Sequence, residues 1–340
     1  MSDIDQAAVC KAARELEQGK LVAFPTETVY GLGGDAENPA AIAAIYAAKG
    51  RPANHPVIVH VSPEADIGYW AAEVPPEAEA LIAAFWPGPL TLILKRAPHI
   101  PDAVSGGQDS IGVRCPSHPV AQALLREFKG GKGGVAGPSA NKFGHVSPTN
   151  AQHVYDEFGA QGSSPVAYVL DGGQSEVGIE STIVDLSRVA SHGAVLLRPG
   201  QISIDQITAV LGVAPNAPDH AAPRASGTLD AHYAPHTPVA MVAPAELPEI
   251  VRRLAALGHK VALIQRCNTA IPAAAMIRMP ADAASYAYQL YAALRSMDQA
   301  GADLIVVEAL PQDAQWQGIN DRLRRAAHDS SGILQRLLPA

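Results

Sequence analysis

Several short stretches of this chain carry side chains suited to phosphate, hydroxyl and carboxylate chemistry. Phe24-Pro25-Thr26-Glu27-Thr28-Val29-Tyr30-Gly31-Leu32-Gly33 runs from an apolar segment into a Thr-Glu-Thr turn and then into glycines. Its hydroxyls and N–H groups could hold a small polar ligand, or simply cap a turn, where Thr and Gly are common. Lys49 and Arg51, held near Pro52 and Pro56, suit a cationic clamp for phosphate oxygens, although a solvated helix end would present the same pair. His55 follows them, and His60 sits inside the apolar run Val57–Val61, where a satisfied strand histidine is the plainer reading. Arg114 closes Ser110-Ile111-Gly112-Val113-Arg114 and could grip a carboxylate in bidentate fashion or make a surface ion pair. Lys129–Gly134 is glycine-rich but lacks the Walker A spacing, so it reads as a mobile loop leading to Gly137, Ser139 and Asn141. Ser147-Pro148-Thr149 resembles a helix N-cap, and a helix start offers N–H groups to an anion. Ser181, Thr182 and Arg198 lie at the ends of apolar runs.

No single stretch is specific; their sum matters. Four basic side chains (Lys49, Arg51, Arg114 and Arg198) each adjoin an element end and a Ser- or Thr-bearing turn. That pattern fits a site binding a polyphosphate and a small carboxylate together. There is no GxSxG elbow, no HExxH and no Cys-His nucleophile pairing, so chemistry here would depend on positioning and charge stabilisation. His232 and His236 have a metal-ligand spacing but no cysteine or carboxylate cluster nearby, and no metal site built from protein side chains is assigned.

The elements that must position these residues follow from periodicity. Ile4, Ala8, Ala12 and Leu16 recur every four residues over 4–18, an amphipathic helix. Asn38-Pro39 opens a helix that ends at Lys49-Gly50. Helices are also expected over 75–85, 117–128 and 148–158. Leu21–Phe24, Val57–Val61, Leu90–Leu94, Ser110–Arg114, Val135–Ala136, Ala167–Leu170, Ser181–Asp185 and Ala194–Arg198 read as strands. Their irregular alternation with helices predicts a twisted mixed sheet over residues 1–212. Residues 213–238 hold Pro215, Pro218, Pro223, Pro235 and Pro238 and read as a linker. Residues 239–340 turn regular, with strands at Val239–Val242, Lys260–Gln265 and Asp303–Leu310 and helices over 246–257, 284–300 and from near Gly318. That order is expected to give a small Rossmann-like α/β domain, though no GxGxxG follows a strand there.

Composition narrows the partners. The chain has 340 residues, 48% of them hydrophobic, and a net charge of −8. Up to residue 215 there are 14 basic against 22 acidic residues, and 11 against 11 afterwards. An acidic first part argues against gripping nucleic acid by bulk charge. Cys10, Cys115 and Cys267 lie far apart, which argues against a disulfide framework and suggests a reducing cytosol. The start, Met-Ser-Asp-Ile-Asp, lacks the features of a signal peptide. No apolar run approaches the ~18 residues of a membrane span.

Read in order, PTETVYGLG, KxRPxxxP running into VIVHV, FWPGPLTLIL, SIGVRCP, PSAN followed by SPT, GIESTIVDL and LRPG closely resemble the YrdC-type threonylcarbamoyl-AMP synthases over residues 5–212. Ala225–Pro235, with its HYAP string, and the domain after it resemble the long form of that family. The resemblance implies a YrdC-like catalytic domain. It also implies conversion of ATP, L-threonine and bicarbonate to threonylcarbamoyl-AMP and pyrophosphate, with Mg2+ accompanying ATP. Downstream transferase proteins would then modify tRNA, with at most a weak direct tRNA contact. By position it implies phosphate contacts at Arg51 with Lys49 beside it, and nucleotide contacts at His55, Ser110, Ser139, Ser147, Arg198 and Tyr233. Threonine contacts are implied at Thr28, His60, Arg114, the backbone of Gly137, Ser181 and Thr182. Three rivals remain: an RNA-binding module, an O-carbamoyltransferase of the hydrogenase-maturation kind, and a regulatory ATP binder.

Overall fold

The computed structural model describes residues 4–160 and 162–338. Residues 1–3, used above against a signal peptide, lie outside the described residues. Nine strands build the first sheet: β1 (Leu21–Phe24), β2 (Gly31–Asp35), β3 (Ile58–His60), β4 (Leu90–Lys95), β5 (Ser110–Arg114), β6 (Val135–Ala136), β7 (Val166–Val169), β8 (Thr182–Asp185) and β9 (Val195–Arg198). They lie in the order β7-β1-β2-β6-β3-β5-β4-β8-β9. Three pairs are parallel (β1 with β7, β3 with β5, β4 with β8) and the others antiparallel, so the sheet is mixed.

One strand has no counterpart in the sequence reading: Gly31–Asp35, where glycines follow the Thr-Glu-Thr turn, is β2. A Cβ on Gly31 would come within 2.9 Å of the Phe24 ring, and one on Gly33 within 2.9 Å of Val135 Cγ1 and the Val22 carbonyl. The glycines therefore permit close strand approach.

Helix Pro39–Lys49 starts from the Asn38 side chain, which accepts from the N–H groups of Ala40 and Ala41, and ends where Gly50 turns left-handed at φ 65°. That stop leaves Lys49 inside the helix end and sends Arg51 out of it. Helix Ile204–Leu211, which the sequence reading passed over, begins with a capping box of Ser203 and Gln206.

The stretch read as a linker is not uniform. The chain forms two units. One holds the chain up to Phe143 together with Ser147–Thr228, the other Gly144–Val146 and the chain from Leu229 on. In the first unit Asn216 bridges to Val195, and Ala222 and Ala225 pack on Ile58 and a cluster of Ile93, Ile183, Val195 and Leu197. The second unit carries a sheet of β10 (Val239–Val242), β11 (Val261–Gln265), β12 (Ala275–Arg278) and β13 (Leu304–Glu308), ordered β10-β13-β11-β12. Every pairing in it is parallel, as a Rossmann-like arrangement requires. β12 escaped the sequence reading because its burial alternates and one face is exposed.

Candidate active site

β5 delivers Arg114 to the interior, with only 4% of it exposed. Its Nη2 donates to Glu27 Oε1 at 2.6 Å, its Nη1 to Thr28 Oγ1 at 2.8 Å and its Nε to the Gly88 carbonyl at 3.3 Å. Glu27 also accepts the Ser117 N–H at 3.1 Å. The Thr-Glu-Thr turn is fixed by Thr26, whose hydroxyl donates to the Val29 carbonyl at 2.6 Å and receives the N–H groups of Thr28 and Val29. Tyr30 anchors its far end by donating to the Gly173 carbonyl at 2.8 Å. Glu27 was not singled out in the sequence. Its signal is an acid buried three residues past a strand end, which must find a cation.

His60 is the register neighbour of Arg114 across β3 and β5. Its ring meets Phe24 edge-on at 5.5 Å. Burial first, and the Arg114 charge second, hold its pKa down to about 3, so the imidazole is neutral at physiological pH. Its Nδ1 has no hydrogen-bond partner among the described residues. Gly137 lies against it, and a Cβ there would stand 3.0 Å from His60 Nδ1 and from Phe24 Cζ. Thr28, His60, Arg114 and Gly137 thus form one buried cluster.

The phosphate-type cations form a second group. Arg51 Nη2 donates to the Pro56 carbonyl at 2.7 Å and to Ser226 Oγ at 3.1 Å. Arg198 Nη1 donates to the Ser226 carbonyl at 2.8 Å, while its Nε and Nη2 reach the Ser181 carbonyl and hydroxyl at 3.0 and 3.1 Å. The Ser181 hydroxyl shares a 2.7 Å bond with Thr91. Arg51 and Arg198 therefore converge on one residue. Strand β4 and the turn before it join this group to the first, since Gly88 takes Arg114 and Thr91 takes Ser181.

Lys49 Nζ is buried against the carbonyls of Ser139 and Asn141. Burial, then the charge of Arg51, push its pKa well below the usual lysine range. The Phe143 ring lies 5.9 Å from the Arg51 guanidinium and meets His55 edge-on at 5.5 Å. Burial and Arg51 lower the pKa of His55. Ser147 donates to Glu180 Oε1 at 2.5 Å. Ser110 shares a crevice with Ile58, Gly112, Arg224 and Ser226.

Two further expected residues have these surroundings. The Thr182 hydroxyl, at the start of β8, donates to the Ile202 carbonyl at 2.8 Å, whereas that of Ser181, just before the strand, accepts from Arg198. Tyr233 folds within the second unit, 1% exposed, stacked on Tyr291 at 5.8 Å with Arg322 over its ring at 5.5 Å. Ser226 and Glu180 were missed: nothing in the spacing of a proline-rich stretch points Ser226 at two arginines, whereas Glu180 beside Ser181 could be flagged as an acid in an apolar run.

A family model described as "Telomere recombination" matches residues 14–200, and one described as "Threonylcarbamoyl-AMP synthase, C-terminal domain" matches residues 202–328. The threonylcarbamoyl-AMP synthase of Pyrococcus abyssi is 35% identical over 95% of this chain and 95% of its own. That of Bacillus subtilis is 37% identical over 94% of this chain and 92% of its own. A crystal structure of Pyrococcus abyssi Sua5 complexed with L-threonine superposes with a TM-score of 0.88 at 34% identity, covering 97% of this chain and 96% of that one. With both domain models matched in order and likeness along nearly its whole length, the chain belongs to the long-form threonylcarbamoyl-AMP synthase family.

Proposed function

We propose that the chain is a nucleotidyltransferase that joins L-threonine, bicarbonate and ATP into threonylcarbamoyl-AMP and pyrophosphate. The observation that carries the reading is the convergence of Arg51 and Arg198 on Ser226, linked through β4 to a buried cluster of Arg114, Thr28 and His60. The fold is that of a relative crystallised with L-threonine.

Arg114 takes the amino-acid carboxylate while Glu27 holds its guanidinium in place. Thr28, Ser181 and the neutral His60 line the rest of the amino acid's site, and His60 Nδ1 is a ready acceptor for a hydroxyl. The threonine amine adds to bicarbonate, forming the N–C bond of a carbamate with loss of water. A carbamate oxygen then attacks the α-phosphorus; a P–O bond forms, the bond from that phosphorus to the β-bridging oxygen breaks, and pyrophosphate leaves. The attack brings an anion to a polyanion, and Lys49, Arg51 and Arg198 offset that repulsion. Holding three reactants in line supplies about 7–11 kcal/mol of the barrier. His55, Ser110, Ser139 and Ser147 belong to the nucleotide side. Magnesium bound to the phosphates would add charge neutralisation.

The mixed anhydride is a short-lived donor. Partner transferases would carry its threonylcarbamoyl group to a tRNA adenosine in the cytoplasm, with little direct tRNA binding by this acidic chain. Among the described residues no helix is long and apolar enough to cross a membrane. The test is pyrophosphate release from the purified protein. It should require threonine and bicarbonate together; release with ATP alone, or none with all three, overturns the reading.

A further inference from the structure

Glu180 is a buried acid that this mechanism leaves unused. It is 6% exposed. Its Oε1 accepts the hydroxyl of Ser147, itself fully buried, at 2.5 Å. The next residue, Ser181, receives Arg198 through both its carbonyl and its hydroxyl. Lys49 is enclosed in the same region. Arg51 and Lys142 work against its ammonium form, and Glu157 and Glu180 work for it. The carbonyls of Ser139 and Asn141 accept its hydrogens.

We propose that Glu180 is a positioning residue for the nucleotide end of the site: its carboxylate fixes the Ser147 hydroxyl and supplies counter-charge to Lys49. An enclosed ammonium beside Arg51 needs an anion nearby to keep its proton, and only a protonated Lys49 can offset phosphate charge. The proposal rests on the synthase reading for the identity of the nucleotide.

The experiment measures kcat/KM for ATP against pH, which reports groups of the free enzyme, in the full-length protein and in Glu180→Gln, Glu180→Asp and Ser147→Ala. Loss of one favourable charge interaction moves the alkaline limb of Glu180→Gln to lower pH by about one unit. Glu180→Asp keeps the charge and keeps the limb within about 0.3 unit of the parent, while loosening Ser147 and raising KM for ATP several-fold. Ser147→Ala raises KM for ATP without moving the limb. Threonine affinity by calorimetry stays within twofold in all three. Coincident limbs for Glu180→Gln and the parent, or an equal shift in Ser147→Ala, overturn the proposal. Should Glu180→Gln not fold, a shifted limb in Glu180→Asp overturns it equally. A parent that releases no pyrophosphate refutes the synthase reading instead, and the pH dependence of affinity for a non-hydrolysable ATP analogue then tests Glu180 by itself.

Discussion

Removing Glu27 isolates the most consequential ion pair of the molecule. Arg114 and Glu27 are both almost wholly enclosed, 4% and 3% exposed, and their contact is 2.6 Å. Breaking a buried pair from one side leaves a charge without compensation and costs about 3–5 kcal/mol. A domain of this size shifts by about 2–4 °C per kcal/mol, so Glu27→Ala should melt roughly 6–20 °C below the parent. Arg114→Ala leaves Glu27 with the Ser117 N–H as its remaining hydrogen bond and should cost a similar amount. The double variant buries no unpaired charge, and its loss should fall short of the sum of the singles by about 2 kcal/mol or more. Urea melts of the four proteins give that coupling directly. Calorimetry with L-threonine separates function from folding: Arg114→Ala and the double variant lose detectable binding, and Glu27→Gln, which keeps the shape, weakens it about tenfold. Additive destabilisation, or a Glu27→Ala protein within about 2 °C of the parent, would refute the view that this pair is what holds the guanidinium.

Other perturbations follow from the same geometry. Between pH 6.5, the ordinary imidazole value, and about 3 the unfolded chain binds a proton that folded His60 refuses, so stability falls by about 1.4 kcal/mol per pH unit as the pH drops through that window and is constant above it. In acid melts His60→Gln should lose that slope, and an unchanged slope would assign the proton elsewhere. Ser226→Ala removes the hydroxyl that Arg51 uses while leaving the carbonyl that Arg198 uses; affinity for a non-hydrolysable ATP analogue should rise two- to fivefold, and weaker binding counts against competition between Ser226 and phosphate. Gly137→Ala puts a methyl 3.0 Å from His60 Nδ1 and Phe24, so threonine affinity should drop at least tenfold by calorimetry, and a parent-like value would show that these side chains yield.

What the sequence makes legible here is set by how local the cause is. The helix that presents Lys49 and Arg51 is written in neighbouring residues, an Asn-Pro start and a glycine stop, and its bounds are read correctly. The strand ends carrying Arg114 and Arg198 follow from short apolar runs in the same way. The β2 strand is not legible because its cause is remote: Gly31 and Gly33 answer to Phe24, Val22 and Val135. Glu27 and Ser226 fall in the same class, since their roles exist only once Arg114 and the two phosphate-side arginines arrive from residues many positions away. Ser181 and Thr182 are neighbours in the motif, yet their hydroxyls take different partners, Thr91 and Arg198 for the first and the Ile202 carbonyl for the second, which spacing alone does not show.

The small insert Gly144–Val146 changes how this protein can be cut. The backbone passes between the two units three times, after Phe143, after Val146 and after Thr228. Ala234 donates its N–H to the Gly144 carbonyl at 2.9 Å, and Arg295 donates to that of Val146. A fragment ending at residue 228 therefore keeps a tripeptide whose hydrogen-bonding partners have been discarded, immediately before Ser147. Anyone dissecting the halves should expect the shortened chain to carry that loss with it, so that lost activity on truncation would not by itself assign a catalytic task to the piece removed.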